Sequence, residues 1–372
     1  MKVGILGGGQ LGRMLLQAGA NYPVETYCME SRADCPASSL CQHFVTGDIT
    51  NADQVFEFGK NLDAVTIEIE SVSTEGLRRL EAHGVKVFPS SAALDIIKNK
   101  ITQKEFYASF SIPTSEFVVT HSLTDVKANS HLFPAVHKVA TGGYDGRGVQ
   151  ILNNVSEAEK AFESDAVLER KVNIKKELAV IVAKSQSGDT VLYPPSEMIF
   201  DPVLNLLQFQ LSPATLPEKV LWKAEAIALA VVKNLNSAGI FAVELFLDQE
   251  DGVWVNETAP RVHNSGHHTI EGNYSSQFDM LWRVMLGLPL GNTDKVMDSA
   301  LVNLIGQSTE TIDESSAQLR ELSKIGNAFV HLYGKKESRP GRKMGHVTIL
   351  SNDRSELVHQ ANRVRNIWEN KL

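Results

Sequence analysis

The first twelve residues constrain the fold more than any other stretch. Lys2-Val3-Gly4-Ile5-Leu6 is an apolar run of strand length, and Gly7-Gly8-Gly9-Gln10-Leu11-Gly12 follows it directly. Leu11, Met14, Leu15 and Ala18 then recur at helical spacing. A buried strand that turns on glycines straight into a helix opens an α/β unit. Short apolar runs at 24–29, 64–67 and 85–88, with helical stretches between them, continue the pattern. A parallel, Rossmann-like sheet with helices on its faces is therefore expected for residues 1–97.

The remainder reads differently. Residues 98–172 hold a helix at 98–110, strands at 116–119, 134–139 and 166–169, and a glycine-rich stretch at 141–148, which predicts a small flap-bearing subdomain. From 173 to 372 the chain reads as a larger domain with a mixed sheet rich in antiparallel strands. Its signals are two runs around Ser187-Gly188-Asp189, a helix over 218–235, a hairpin over 239–257 turning at Asp251-Gly252, and a surface helix over 356–372. The fold class is thus α/β and α+β.

Composition narrows the function. There are 44 acidic against 36 basic residues, a formal net charge of −8. Such a chain is a poor general binder of nucleic acid or anionic membrane, so neither is expected as a partner. Cys28, Cys35 and Cys41 are the three cysteines. Their number and spacing fit neither a disulfide framework nor a zinc site, and point to a reducing cytoplasm. No signal pattern or membrane-length apolar run stands in the sequence.

Five constellations carry chemistry. Gly7-x-Gly9-x-x-Gly12 can bring backbone N–H groups up to a phosphate, with Glu30 placed where a dinucleotide fold binds ribose. A nicotinamide dehydrogenase and a purely structural turn both remain open on this motif. Thr141–Gly148 carries four glycines in eight residues. It reads as a flap over nucleotide phosphates that presents Asp145 and Arg147. Glu244 and Glu257 flank the hairpin turn. Paired strands would set them opposite each other on one face, where like charges need a neutraliser, and Mg²⁺ with Asn256 as a further ligand is the expected one. Residues 259–268 are dense in hydrogen-bond donors, and such a segment is seldom core and often binds an anion. Finally, Lys335, Lys336, Arg339, Arg342 and Lys343 fall within nine positions of an acidic chain. With Pro340 and Gly341 among them, they suggest a shaped phosphate pocket.

Together and in this order, these features resemble the ATP-grasp enzymes and, within them, the 5-(carboxyamino)imidazole ribonucleotide synthases of purine biosynthesis. The carrying motifs are Gly-Gly-Gly-Gln-Leu-Gly-Arg-Met at 7–14, Gly-Gly-Tyr-Asp-Gly-Arg-Gly at 142–148, Asn-Glu-x-Ala-Pro-Arg-x-His-Asn-Ser-Gly-His at 256–267 and Arg-Pro-Gly-Arg-Lys-x-Gly-His at 339–346. The resemblance implies an ATP site formed by Lys100, Lys138, Gly143, Tyr144, Asp145, Gly146, Arg147, Gly148, Glu169, Val172, Glu177, Asn256 and Glu257. It implies Mg²⁺, or Mn²⁺, on Glu244 and Glu257. It implies ribonucleotide and carboxylate contacts from Gln10, Leu11, Glu70, Asp145, Arg147, Arg261, His263, Asn264, Ser265, Lys335 and Arg342. Arg261, Asp145 and Arg147 would be catalytic. The implied partners are ATP, bicarbonate and aminoimidazole ribonucleotide, and the implied state is a cytoplasmic homodimer with no fused mutase domain. Lys100 stands where the family commonly has Arg, and Phe200 where many members have His. Another ATP-grasp carboxylating or formylating ligase is the nearest alternative, and an NAD-dependent dehydrogenase a remote one.

Overall fold

The computed structural model describes residues 1–143, 148–200, 207–309 and 317–369. The first sheet holds β1 (Lys2–Leu6), β2 (Glu25–Glu30), β3 (His43–Thr46), β4 (Ala64–Ile67) and β5 (Lys86–Phe88). Their order is β3-β2-β1-β4-β5 and every pair is parallel. β4 is buried along its whole length, as a strand covered on both faces must be. The sequence reading found four of these strands. It missed β3, a largely exposed edge strand whose His-Phe-Val-Thr sequence carries no buried run.

A second sheet joins β6 (Phe117–Thr120), β7 (Ala135–Val139), β8 (Val149–Leu152) and β9 (Ala166–Arg170) in the order β6-β9-β7-β8, all antiparallel. The third sheet contains β10 (Ile174–Lys184), β11 (Thr190–Leu192), β12 (Ser196–Phe200), β13 (Leu207–Ser212), β14 (Gly239–Asp248), β15 (Val253–Ala259), β16 (Ser299–Ile305), β17 (Ala328–Leu332) and β18 (Lys343–Leu350). The path runs β15-β14-β10-β12-β13-β16-β18-β17, with β11 hydrogen-bonded to β10. The expected mixed sheet is corrected here. All pairings between these strands are antiparallel, because short hairpins rather than helical crossovers connect neighbours such as β14 and β15.

Alternation along the central strands decides what faces the site. Val180 and Val182 of β10 and Phe241, Val243 and Leu245 of β14 pack with the helix Glu218–Asn234. Ile181, Ala183, Ile240 and Ala242 face the other way, into a core shared with the helix Gln277–Leu286 and with Leu15 of the first domain. Glu244 continues the second face. The helix Lys100–Ser109 gives Phe106 and Tyr107 to the core of the large sheet, not to that of the four-stranded one. The C-terminal helix Arg354–Trp368 was expected on the surface. It buries Leu357, Ala361, Val364 and Ile367 against the large sheet and exposes only its polar face. No helix among the described residues is long and apolar enough to cross a membrane.

Candidate active site

A cleft of about 350 Å³ opens between the four-stranded sheet and the large sheet. That volume lies in the range of small-ligand pockets. Lys100, Lys138, Gly143, Glu169, Val172 and Glu177 line it, and so do Glu244, Asn256, Glu257, His263 and Asn264. Residues named from five separate stretches of sequence thus meet in one cavity. Gly148 lies beside Gly143 with φ of +75°. Tyr144, Asp145, Gly146 and Arg147 lie outside the described residues.

The carboxylate pair is set by a β-bulge. From Leu247↔Val253 to Leu245↔Val255 the hairpin keeps one register; at Glu244 the register shifts, and Glu244 pairs with Glu257. Without the extra residue, Asn256 would oppose Glu244, and Glu257 would turn toward the apolar core that takes Val253 and Val255. Bulges re-aim side chains in this way beside functional sites. Burial and the facing charges of Glu257 and Glu177 push the Glu244 carboxyl well above its ordinary range, while Lys343 and Lys100 oppose the rise. Glu257 is held low chiefly by Lys100, whose Nζ lies 2.8 Å from its Oε2, against the upward push of burial. The Glu257 side chain is 44% exposed and Glu244 16%, so the pair opens onto the cleft rather than into the core. Two carboxylates held face to face at the cleft are a donor set suited to a hard divalent cation that also takes nucleotide oxygens.

The walls are cationic. Lys138 Nζ lies 2.9 Å from Asn256 Oδ1 and 3.0 Å from Glu169 Oε1. Burial alone would raise the Glu169 carboxyl, but Lys138 and Lys104 bring it down to about 2. Lys104 is the partner that the sequence reading missed: it is 3% exposed and its Nζ sits 2.8 Å from Glu169 Oε2. Burial lowers this ammonium to about 8, with Glu169 opposing the fall. The available signal was its place three residues before the buried Tyr107 on one helix face. Glu177 is pushed up to about 7 by burial, with Lys138 resisting. Phe200 contributes an apolar wall to the same cleft.

Residues 259–268 correct an expectation. Asn264, Ser265, His267 and His268 are buried, so most of this polar segment is core. Several of its polar groups are answered from neighbouring elements. Asn264 and Asn303 exchange amide hydrogen bonds at 2.9 and 3.0 Å. Gln210 Nε2 donates to the Ser265 carbonyl at 2.5 Å. Ser265 Oγ lies 2.9 Å from His263 Nδ1. Burial drives His263 down to about 3 and His268 to about 4, so both imidazoles are neutral at pH 7. His263 Nε2 points toward Glu244 Oε1, 3.7 Å away. Arg261 pairs with Glu70 at 2.8 Å and donates to the Val262 carbonyl, while its buried Nε has no hydrogen-bond partner among the described residues.

The glycine turn is occupied from within. Glu68 Oε1 accepts the Leu11 N–H at 3.1 Å, and Glu30 Oε2 accepts the Gly8 N–H at 3.1 Å. Gly7 sits at φ +108°, and a Cβ on Gly12 would stand 2.8 Å from the Gly7 carbonyl oxygen, so these glycines serve a tight strand–helix approach. The donors that a dinucleotide pyrophosphate would need already hold the chain's own carboxylates, and Glu30 is turned inward rather than toward a ribose. This corrects the dehydrogenase alternative. Burial pushes Glu68 up to about 7, with Arg261 opposing. Leu11 has its side chain in the core, and Gln10 is half-buried at the start of the helix Gln10–Gly19.

The basic loop closes the other side. Arg13 of that helix reaches Gly334, and Lys335 Nζ donates to the Lys343 carbonyl at 2.7 Å over the Tyr333 ring. Arg342 Nη1 donates to the Glu337 carbonyl at 2.7 Å. Burial and the like charges of Arg339 and Arg32 make Arg342 less basic, a strain that a bound anion would relieve. Glu70, Arg261, Lys335 and Arg342 do not line the cleft of Lys100 and Glu257. Glu70 and Arg261 pair with each other, while Arg342 lies near Arg32 and Asp34 of the first domain.

Comparison with known proteins finds three family profiles along the chain. The ribonucleotide synthetase preATP-grasp domain profile matches residues 1–98, the ATP-grasp domain profile 105–278, and the phosphoribosylaminoimidazole carboxylase C-terminal domain profile 299–360. The N5-carboxyaminoimidazole ribonucleotide synthase of Synechococcus elongatus is 34% identical, covering 99% of this chain and 95% of its own. The chloroplastic phosphoribosylaminoimidazole carboxylase of Vigna aconitifolia is 35% identical over 95% of this chain, which spans 65% of that longer protein. Among solved structures, N5-carboxyaminoimidazole ribonucleotide synthetase from Thermotoga maritima superposes with a TM-score of 0.88 at 34% identity, covering 98% of each chain. The Aspergillus clavatus synthase, in complex with ADP and 5-aminoimidazole ribonucleotide, gives a TM-score of 0.90 at 30% identity, covering 99% of this chain and 98% of that one.

Proposed function

The chain belongs to the N5-carboxyaminoimidazole ribonucleotide synthase family of ATP-grasp ligases, and from that premise we propose how its residues divide the chemistry. The reaction is the ATP-dependent carboxylation of 5-aminoimidazole ribonucleotide in purine biosynthesis. The nucleotide lies in the cleft. Lys100 and Lys138 face its phosphates, Glu169 to Val172 meet the adenine and Glu177 the ribose. Glu244 and Glu257, with Asn256, hold Mg²⁺ or Mn²⁺, which when bound neutralises charge on the transferring phosphoryl group. The observation that carries this reading is the bulge-set Glu244–Glu257 pair facing Lys100 at the mouth of the cleft.

Bicarbonate is the carbon source. Its oxygen attacks the γ-phosphorus, the β–γ bridging bond breaks, and ADP leaves with the bonding electrons. The exocyclic amine of the ribonucleotide then attacks the carboxyl carbon of carboxyphosphate, phosphate departs, and the amine loses a proton. Arg261, whose Nε has no partner among the described residues, holds bicarbonate and then carboxyphosphate. Asp145 orients the amine or takes its proton, with Arg147 as a further catalytic group. His263, Asn264 and Ser265 shape the carboxylate side. Gln10, Leu11, Glu70, Lys335 and Arg342 bind the ribonucleotide, and at Leu11 this requires exchanging the amide bond now made to Glu68. A closed, dry site protects carboxyphosphate from water. The working state in this proposal is a cytoplasmic homodimer.

The test is ADP release across a panel of amines, with and without bicarbonate. Release that requires both aminoimidazole ribonucleotide and bicarbonate is expected. Release with another amine would move the chain to a neighbouring ATP-grasp ligase.

A further inference from the structure

Gln277, the first residue of the helix Gln277–Leu286, is fully buried. It carries no charge and no reactive atom, yet its amide converges on the catalytic segment. Its Oε1 accepts the His263 N–H at 2.9 Å, and its Nε2 donates to the His263 carbonyl at 2.7 Å and to His267 Nδ1 at 3.0 Å. The amide orientation is forced, because a main-chain N–H only donates and a main-chain carbonyl only accepts. The Nε2 of His267 therefore carries its ring proton. The His263 Nδ1 accepts the Ser265 N–H at 3.3 Å, so its proton also sits on Nε2, the atom that points toward Glu244.

The same helix docks on the first domain. Trp282 Nε1 donates to the Leu15 carbonyl at 2.7 Å, and Tyr22 donates to Asp279 at 2.5 Å. Leu15 lies in the helix Gln10–Gly19, which begins at the glycine turn. One rigid element thus spans from the ribonucleotide side of the site to the main chain of His263.

We propose that Gln277 is a positioning residue for the carboxylation. By clamping both main-chain polar groups of His263, it fixes where that imidazole stands over the carboxylate pair. This rests on the function proposed above. The test uses Gln277→Glu, which keeps the volume and an acceptor but removes both Nε2 donors. Loss of positioning by about 1 Å lowers turnover roughly 10²-fold. We expect that fall in kcat in the folded fraction, with aminoimidazole ribonucleotide and bicarbonate saturating, while the ATP dissociation constant stays near wild type and the thermal midpoint falls. A merely structural role would move the midpoint and spare kcat in the folded fraction. Gly266→Ala is the second variant: a Cβ there would lie 2.3 Å from Gln277 Oε1 and displace the amide with its chemistry intact. It should show the same split. Wild-type kcat in either folded variant overturns the proposal, and failure of both to fold reduces Gln277 to a fold residue and also overturns it. A wild-type protein that releases no ADP with both substrates would instead refute the functional reading, which keeps the two failures distinct.

Discussion

Two regions of the molecule gather charge around a turn, and they differ in who answers it. At the glycine turn the exposed N–H groups are met by Glu68 and Glu30 of the same chain. At the β14–β15 hairpin, Glu244 and Glu257 face each other, with one lysine 2.8 Å from one of them. The first region has its Gly8 and Leu11 amides met from within the chain. The second keeps a carboxylate, Glu244, pushed up by burial and by Glu257 and Glu177 against the pull of Lys343 and Lys100. A motif names the groups a ligand could use, but only the balance of partners around them shows whether a ligand is needed.

The largest effect should come from the carboxylate pair. Glu257→Gln removes a charged ligand and the partner of Lys100 together, and should cut ADP release by about 10³-fold or more, equivalent to about 4 kcal/mol. Steady-state turnover at saturating Mg²⁺ checks this, and wild-type rates would leave the pair as two solvated glutamates. Next is the basic loop. Losing a charge-assisted bond to a phosphate costs about 1.5–3 kcal/mol, or roughly 10- to 150-fold in affinity. Arg342→Ala should raise the KM for aminoimidazole ribonucleotide by that factor and spare the KM for ATP. A rise in the ATP value would merge the two subsites.

Glu68 sharpens the comparison through stability. Its carboxyl rises from 4.5 to about 7 on folding. The folded state then binds more protons than the unfolded one, so the contribution is fully present below about pH 4.5 and is lost as pH rises through about 7. Glu68→Gln keeps an acceptor for Leu11 and should flatten that pH dependence. At pH 8 it should gain up to about 3 kcal/mol over wild type. Denaturant melts at pH 5 and pH 8 measure it, and parallel curves for the two proteins would contradict an internally buried carboxylate. The smallest effect is expected from NAD. With its donors occupied the turn should bind none, and the thermal midpoint should not move. ATP with Mg²⁺ at about 100 times its dissociation constant should add about 2.7 kcal/mol.

The sequence made the first domain and the hairpin legible because burial imposes periodicity on both. It hid β3, which is a polar edge, and the bulge that re-aims Glu257, which depends on a register no spacing reveals. The donor-rich run at 259–268 looked exposed because its partners Gln210, Gln277 and Asn303 lie far off in sequence. Lys104 and Glu68 escaped notice for a related reason. Each is a charged residue made tolerable in the core by a single distant neighbourhood.

Hydrogen exchange with and without ATP and Mg²⁺ tests the central claim most directly, since it reads both regions in one experiment. The account predicts new protection in segments 138–143, 169–177 and 256–263, and unchanged exchange at 7–12, where Glu30 and Glu68 already hold amides. Protection confined to 7–12, with the cleft segments unmoved, would contradict it.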